Sequence, residues 1–220
     1  MDQMTINHLP KLKKGINLLK TGGYTETIQA LVINNLIISE EEALWIDTGN
    51  QCSTYMMSHL TPADDILENI KVARAFTPYQ HHELVRNLSK AISSDTNLLV
   101  LPLLDHLYHK KISDEKERSK MLRDMVSYIK EITIKEELTT VITAEKTLLI
   151  SDVVDQEIEC KRTRHGIMFS TDCFTTISYT GPGYIQTTLK LWEILLERLY
   201  REKTHSKTVL KKEKEVIKAG

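Results

Sequence analysis

Residues 97–101 read Asn-Leu-Leu-Val-Leu, and this short stretch with its neighbours decides the fold class. An apolar run of that length is a strand buried on both faces, the kind found in parallel sheets. Upstream, Ala43 to Asp47 (ALWID) is a second short apolar run, closed by an acid, and Ile70 to Ala75 (IKVARA) alternates as a strand does. Downstream, Thr139 to Ala144 (TTVITA) is rich in β-branched residues. Helical patterns separate these runs. Ile28, Leu31, Val32 and Leu36 recur at helical spacing after Thr25, and Thr54 to Leu60 is a short helix stopped by Pro62. Leu84, Val85, Leu88 and Ile92 share a face within Pro78 to Ser93. Met121, Leu122, Met125, Ile129 and Ile132 form the stripe of the longest pattern, Asp114 to Glu137. Alternation of helix and strand predicts an α/β fold with a central, mostly parallel sheet and helices on both faces.

Outside this core the pattern changes. The first 23 residues read as a polar lead with loops at Pro10, Gly15, Gly22 and Gly23. After Thr147, Glu157 to Arg164, Gly166 to Ser170 and Phe174 to Tyr179 read as short strands of an antiparallel C-terminal edge. Gly181-Pro182-Gly183 breaks the chain before a helix expected over Tyr184 to Tyr200. Residues 201–220 hold seven bases against three acids, net +4, and read as a basic tail, helical or disordered, beyond a single domain over residues 1–200.

The chain has 220 residues, 41% apolar and 27% charged, which supplies a core and excludes wholesale disorder. A net charge of -1 announces no global field for nucleic acid or membrane. The apolar runs are far shorter than the roughly 20 residues that span a bilayer. Cys52, Cys160 and Cys173 form no Cys-x-x-Cys pair, so a reduced, cytoplasmic setting is expected.

Four segments resemble the ATPase core of the RecA/RadA recombinase superfamily, especially archaeal RadA-like paralogs. Leu44-Trp45-Ile46-Asp47-Thr48 is similar to the strand that ends in Ile-Asp-Thr-Glu. Leu67 to Phe76 (LENIKVARAF), with Thr77 to His82 after it, is similar to the family's leu-asp-asn-ile … ala-arg-ala-tyr stretch. Leu98 to Tyr108 takes the place of the strand with the magnesium-binding acid, and Glu117-Arg118 to Ala144 that of the long helix and the strand ending in Thr-Asn-Gln. The resemblance covers about half of the chain and implies a RecA-like core.

The chemistry of that family is missing at four places. A P-loop needs Gly-x-x-x-x-Gly-Lys-Ser/Thr, because backbone N–H groups and a lysine cradle the phosphates and a hydroxyl holds magnesium. In Leu18 to Ala30, Gly22 and Gly23 are present, but no Gly-Lys-Thr follows. Gly49 stands where the resemblance implies the catalytic Glu. Pro102 stands at the metal-binding Asp, with Asp105 three residues on, and Thr143-Ala144-Glu145 replaces Thr-Asn-Gln. The degenerate nucleotide-site positions are therefore Gly22, Gly23, Asp47, Thr48, Asp105 and Glu145. The expectation is a non-catalytic paralog with no cofactor and no catalytic residue.

Other chemistry was weighed residue by residue. Asp47 and Asp105 are either metal ligands or polar strand ends, and the lost P-loop favours the latter. His81-His82, and His106 with His109 beside Asp105, offer two ligands without a specified third and fourth, so no metal site is expected. Cys52 has no partner base for nucleophilic work. Lys161, Arg162, Arg164 and His165 form the densest basic cluster in the folded part, just past the segment where recombinases hold DNA; with Lys211, Lys212 and Lys214 of the tail they are the candidate DNA contacts. A charge-guarded strand edge is the plainer alternative. The leading expectation is an accessory or scaffold protein of DNA repair or recombination, partnered by a RadA-type recombinase or by further copies of itself, with non-specific DNA contact and no membrane. The alternatives are a nucleotide- or metal-binding enzyme of altered chemistry and a pure protein-interaction module.

Overall fold

A computed structural model of the chain describes residues 9–21, 25–39, 41–60, 64–146, 150–162, 166–172, 175–181 and 184–185. Along the chain run β1 (Gly15–Lys20), α1 (Thr25–Ser39), β2 (Glu42–Asp47), α2 (Thr54–Leu60), α3 (Asp64–Glu68) and β3 (Ile70–Arg74). Next come α4 (Pro78–Arg86), α5 (Leu88–Ala91), β4 (Thr96–Leu101), α6 (His106–Lys111), α7 (Glu115–Lys135) and β5 (Thr139–Ile142). A 3-10 turn at Ser151–Val153 leads to β6 (Gln156–Arg162), β7 (Gly166–Ser170), β8 (Thr175–Gly181) and β9 (Tyr184–Ile185). They form one sheet of nine strands in the order β3-β2-β4-β5-β1-β6-β7-β8-β9. From β3 to β6 all neighbours are parallel, and β7, β8 and β9 continue antiparallel at the C-terminal edge. The fold is α/β, as the alternation predicts, and the four strands read from the sequence are parallel neighbours.

The period of two along each strand builds two cores. Ala43, Trp45, Leu98, Val100 and Val141 face one side, where Ile28, Leu31, Val32 and Leu36 of α1, Met57 of α2 and Ile66 of α3 cover them. Leu44, Ile46, Leu99, Leu101 and Ile142 face the other, under Val85 of α4, Leu107 and Tyr108 of α6, and Leu122, Met125, Ile129 and Ile132 of α7. Each such aliphatic or aromatic side chain contributes about 1.5–3 kcal/mol when fully buried. Asp114 caps α7 by accepting from the N–H groups of Lys116 and Glu117.

Several expectations need correction. The polar lead contains β1, which sits between β5 and β6 inside the sheet. Its Asn17 is fully buried, because its Nδ2 donates to the carbonyls of Lys13, Gly15 and Thr140 and its Oδ1 accepts from Lys13 N–H. The helix expected over Pro78 to Ser93 divides at Asn87 into α4 and α5. α6 was not expected at all. The antiparallel C-terminal edge is as expected, with β6, β7 and β8 pairing antiparallel in turn, and β6 joins it to the parallel part through β1. Tyr184–Ile185 pairs with β8 as a strand instead of opening a helix; the remainder of that expected helix and the basic tail lie outside the described residues.

Candidate functional site

In an open parallel sheet, ligands bind beyond the C-terminal ends of the strands. Here those ends are β2 at Asp47, β4 at Leu101 and β5 at Ile142, with the β1–α1 connection beside them. Gly22 and Gly23 fall in that connection, between a strand and a helix as a P-loop would be, but they lie outside the described residues.

Asp47 is buried at the tip of β2. Its Oδ1 accepts from Gln51 N–H at 2.8 Å and Gly49 N–H at 3.3 Å, and its Oδ2 accepts from Cys52 N–H at 3.3 Å. Arg74, its register partner on β3, brings Nε to 3.4 Å of Oδ2 and donates from Nη2 to the Cys52 carbonyl. The carboxylate thus shapes its own loop. Burial first, and the neighbouring Asp47 charge second, push the Cys52 thiol up to about 11, leaving it inert at neutral pH.

Thr48 Oγ1 donates to the carbonyls of Pro102 at 2.8 Å and Leu103 at 3.1 Å. Leu103 has φ of 50°, a left-handed conformation that costs a leucine energy. It is held from both sides, because its N–H also donates to Thr143 Oγ1 at 2.8 Å. Leu104 N–H donates to the Thr143 carbonyl at 2.8 Å. A Cβ at Gly49 would come within 2.8 Å of Leu103 Cδ1, so a side chain at the position implied for a catalytic Glu requires the Leu103 side chain to shift.

Asp105, also buried, accepts from Glu145 N–H through Oδ1 and from Lys146 N–H through Oδ2, both at 2.8 Å. His109 Nε2 lies 3.2 Å from Oδ2, a close contact without hydrogen-bond alignment. The Glu145 side chain meets His106 Nδ1 at 2.5 Å. Asp47, Thr48, Asp105 and Glu145 are therefore brought to one end of the sheet, where they stitch the β2–α2, β4–α6 and post-β5 segments together. Among the described residues no group of three or more His, Cys, Asp and Glu side chains could hold a metal ion. His81 of α4 takes no part in these bonds and is buried against Tyr108 with ring centroids 5.7 Å apart; burial, then the His82 charge, lowers its pKa to about 4.

The basic cluster is less concentrated than its sequence. Lys161 and Arg162 are successive exposed residues of β6, so their side chains leave opposite faces of the strand. Lys161 Nζ lies 3.0 Å from Glu159, and the neighbouring Glu157 holds Lys20 at 2.6 Å. Arg164, His165, Lys211, Lys212 and Lys214 lie outside the described residues.

Sequence reasoning missed Arg74, Leu103 and Thr143 as parts of the strand-end network. The Asp47–Arg74 pairing depends on β2–β3 register, and the left-handed Leu103 carries no glycine to signal it. No protein-family model matches the chain, and no curated protein matches it. No helix among the described residues is long and apolar enough to cross a membrane.

Proposed function

We propose that this chain is a RecA/RadA-like protein without ATPase chemistry, acting in DNA repair or recombination as an accessory or scaffold through a protein partner and through DNA. The observation that carries the reading is that the polar groups at the ends of β2, β4 and β5 are bound to their own loops. Where the resemblance implies water activation and metal binding, Gly49 has no side chain and Pro102 no carboxylate; Asp105, three residues on, is spent on two backbone N–H groups, and Thr143, in the segment implied for nucleotide sensing, braces Leu103. Phosphoryl transfer is positioning plus electrostatic stabilisation, so groups bound to their own backbone cannot do it without rearranging.

Partner binding is supported by the opposite edge of the sheet. Among the described residues β3 is an edge strand, and Val72 on it, Phe76 just after it and Tyr79 at the start of α4 expose 41%, 72% and 60% of their surface. A surface cavity of about 260 Å³, lined by Arg74, Gln80, Glu83, Leu84 and Asn87, adjoins them, since Gln80 also accepts from Phe76 N–H. An open edge with exposed aromatics is how a sheet receives another chain. Steady-state phosphate release from ATP, measured with and without DNA, tests the catalytic half; the expected outcome is no release above background, and turnover overturns the reading.

A further inference from the structure

Several bases on and beside the sheet sit in ion pairs, namely Lys14 with Glu137, Lys20 with Glu157, Lys71 with Glu42, Arg74 with Asp47 and Lys161 with Glu159. Others, among them Lys11, Lys13, Lys110, Lys111 and Lys146, have no carboxylate within 4 Å among the described residues, but they are scattered over loops and short elements. Along α7 the exposed Lys116, Lys120, Arg123 and Lys130 have no carboxylate within 4 Å among the described residues. Their spacing of four, three and seven residues keeps them within about 80° of one another around the helix and spreads them over about 21 Å of its length.

Acids are present on α7 as well. Glu117 accepts from Tyr79 of α4. By helical spacing the exposed Asp124 and Glu131 lie toward one flank of the stripe, and the exposed Glu115 shares the groove of Lys116, Lys120 and Arg123. The cationic line is left facing outward, with Ser127 between its bases and an open groove at its N-terminal half lined by Glu115, Lys116, Ser119, Lys120 and Arg123.

We propose that this outer face of α7 binds the phosphate backbone of double-stranded nucleic acid without reading its sequence. The chemistry selects the occupant. A protein-docking site has an apolar anchor at its centre and is poor in lysine, whereas here the sole large apolar residue of the stripe, Ile134, stands at its far end. A single strand is normally gripped by aromatic rings on which bases stack, and the stripe carries none. A straight row of bases with hydroxyl donors between them suits a regular line of phosphates. The inference adds a surface to the DNA-binding part of the proposed function and does not depend on the loss of ATPase activity. It places the contact away from Lys161 and Arg162.

The test is a salt titration of the full chain against a labelled DNA duplex, the matching single strand and a glutamate-rich peptide of equal charge. Duplex binding is expected to lead, with log K falling against log salt at a slope of about -3.6 for four contacts. Changing Lys116, Lys120, Arg123 and Lys130 together to Ala should weaken duplex binding at least tenfold at low salt and flatten the slope, with the thermal midpoint checked on the same sample. Should that variant not fold, Asp124→Asn with Glu131→Gln serves instead and should tighten duplex binding. The proposal is overturned by absent duplex binding at low salt, by tighter binding of the single strand or the peptide, by an unchanged slope in the folded quadruple variant, or by unchanged affinity in the Asp124→Asn, Glu131→Gln protein. Loss of duplex binding on changing Lys161 and Arg162 to Ala, with α7 substitutions silent, also overturns it. Phosphate release from ATP, by contrast, would sink the non-catalytic reading and leave this one standing.

Discussion

The two ends of β2–β3 territory differ in kind. At the strand ends, Asp47, Thr48, Asp105 and Thr143 are buried polar groups, each bound to backbone. At the β3 edge, Val72 and the following Phe76 are large side chains left in water, and Tyr79 at the start of α4 is exposed with its hydroxyl on Glu117. Among the described residues, the carboxylates and hydroxyls at the ends of β2, β4 and β5 hold their own loops, while the β3 edge leaves apolar surface in water.

Underneath both regions lies the shared core, and breaking it should remove the contrast altogether. Val100, on the central strand β4, is fully buried in the core under α1. Val100→Asp would place a carboxylate there with no partner, at a cost of several kcal/mol, and should leave no cooperative unfolding transition in a urea melt. A folded variant of near-normal stability would mean that the sheet does not pack as described.

The strand ends themselves come next. Asp47→Ala leaves the N–H groups of Gln51, Gly49 and Cys52 without their acceptor and takes the counter-charge from Arg74, which keeps only its bond to the Cys52 carbonyl. The expected loss is about 2–4 kcal/mol by chemical unfolding, with Asp47→Asn retaining part of it because Oδ1 survives. A loss under 1 kcal/mol would show that the loop does not need this carboxylate, and the contrast between loop-bound ends and open edge would weaken.

Much of this arrangement was legible and some was not, for identifiable reasons. β2, β4 and β5 announce themselves because both faces are buried, which writes continuous apolar runs into the sequence. β1 hides because its six residues include a buried Asn17 whose bonds to Lys13, Gly15 and Thr140 depend on the fold. α6 hides behind Leu103, whose left-handed turn lets the chain leave β4 and start a helix within an apolar stretch that looks continuous. Asp47, Thr48, Asp105 and Glu145 were singled out from sequence, but their structural task was not visible. Thr48 reaches Pro102 and Leu103 from more than fifty residues away, and Asp105 reaches Glu145 and Lys146 from about forty.

Beneath the open edge, α4 contributes one buried ionisable group that sharpens the comparison by pH. His81 is folded in its neutral form, with its pKa lowered from 6.5 to about 4 by burial and then by His82. Above pH 6.5 it is neutral in both states and contributes nothing to the pH dependence. Below that, the unfolded chain takes up a proton that the folded chain refuses, so stability falls until the folded pKa is reached. The gap corresponds to about 3 kcal/mol at most. Unfolding free energies measured between pH 7 and pH 4 should show this acid-side decline, and His81→Phe should reduce it; an identical profile in the variant would remove His81 from the account.

The smallest expected effect on stability is also the one that bears most on the edge. Phe76 follows β3 in a bend, 72% exposed, with its backbone N–H held by Gln80 Oε1 at 3.1 Å. That hydrogen bond fixes the chain without using the ring, so nothing in the folded monomer requires a phenyl group there. Phe76→Ala should therefore move the unfolding free energy by no more than about 0.5 kcal/mol, as exposed substitutions do. Association is a different matter. A phenyl ring that gives up water only when another chain covers it is where a docking surface concentrates its free energy, and truncating such an anchor commonly costs 2 kcal/mol or more of binding, about thirtyfold in Kd. Sedimentation of the chain alone and mixed with a RadA-type recombinase measures this directly. Two results would break the comparison from its open side: a stability loss above 1 kcal/mol, which would make Phe76 part of the packing, or association unchanged by Phe76→Ala and by Val72→Asp on the adjoining strand.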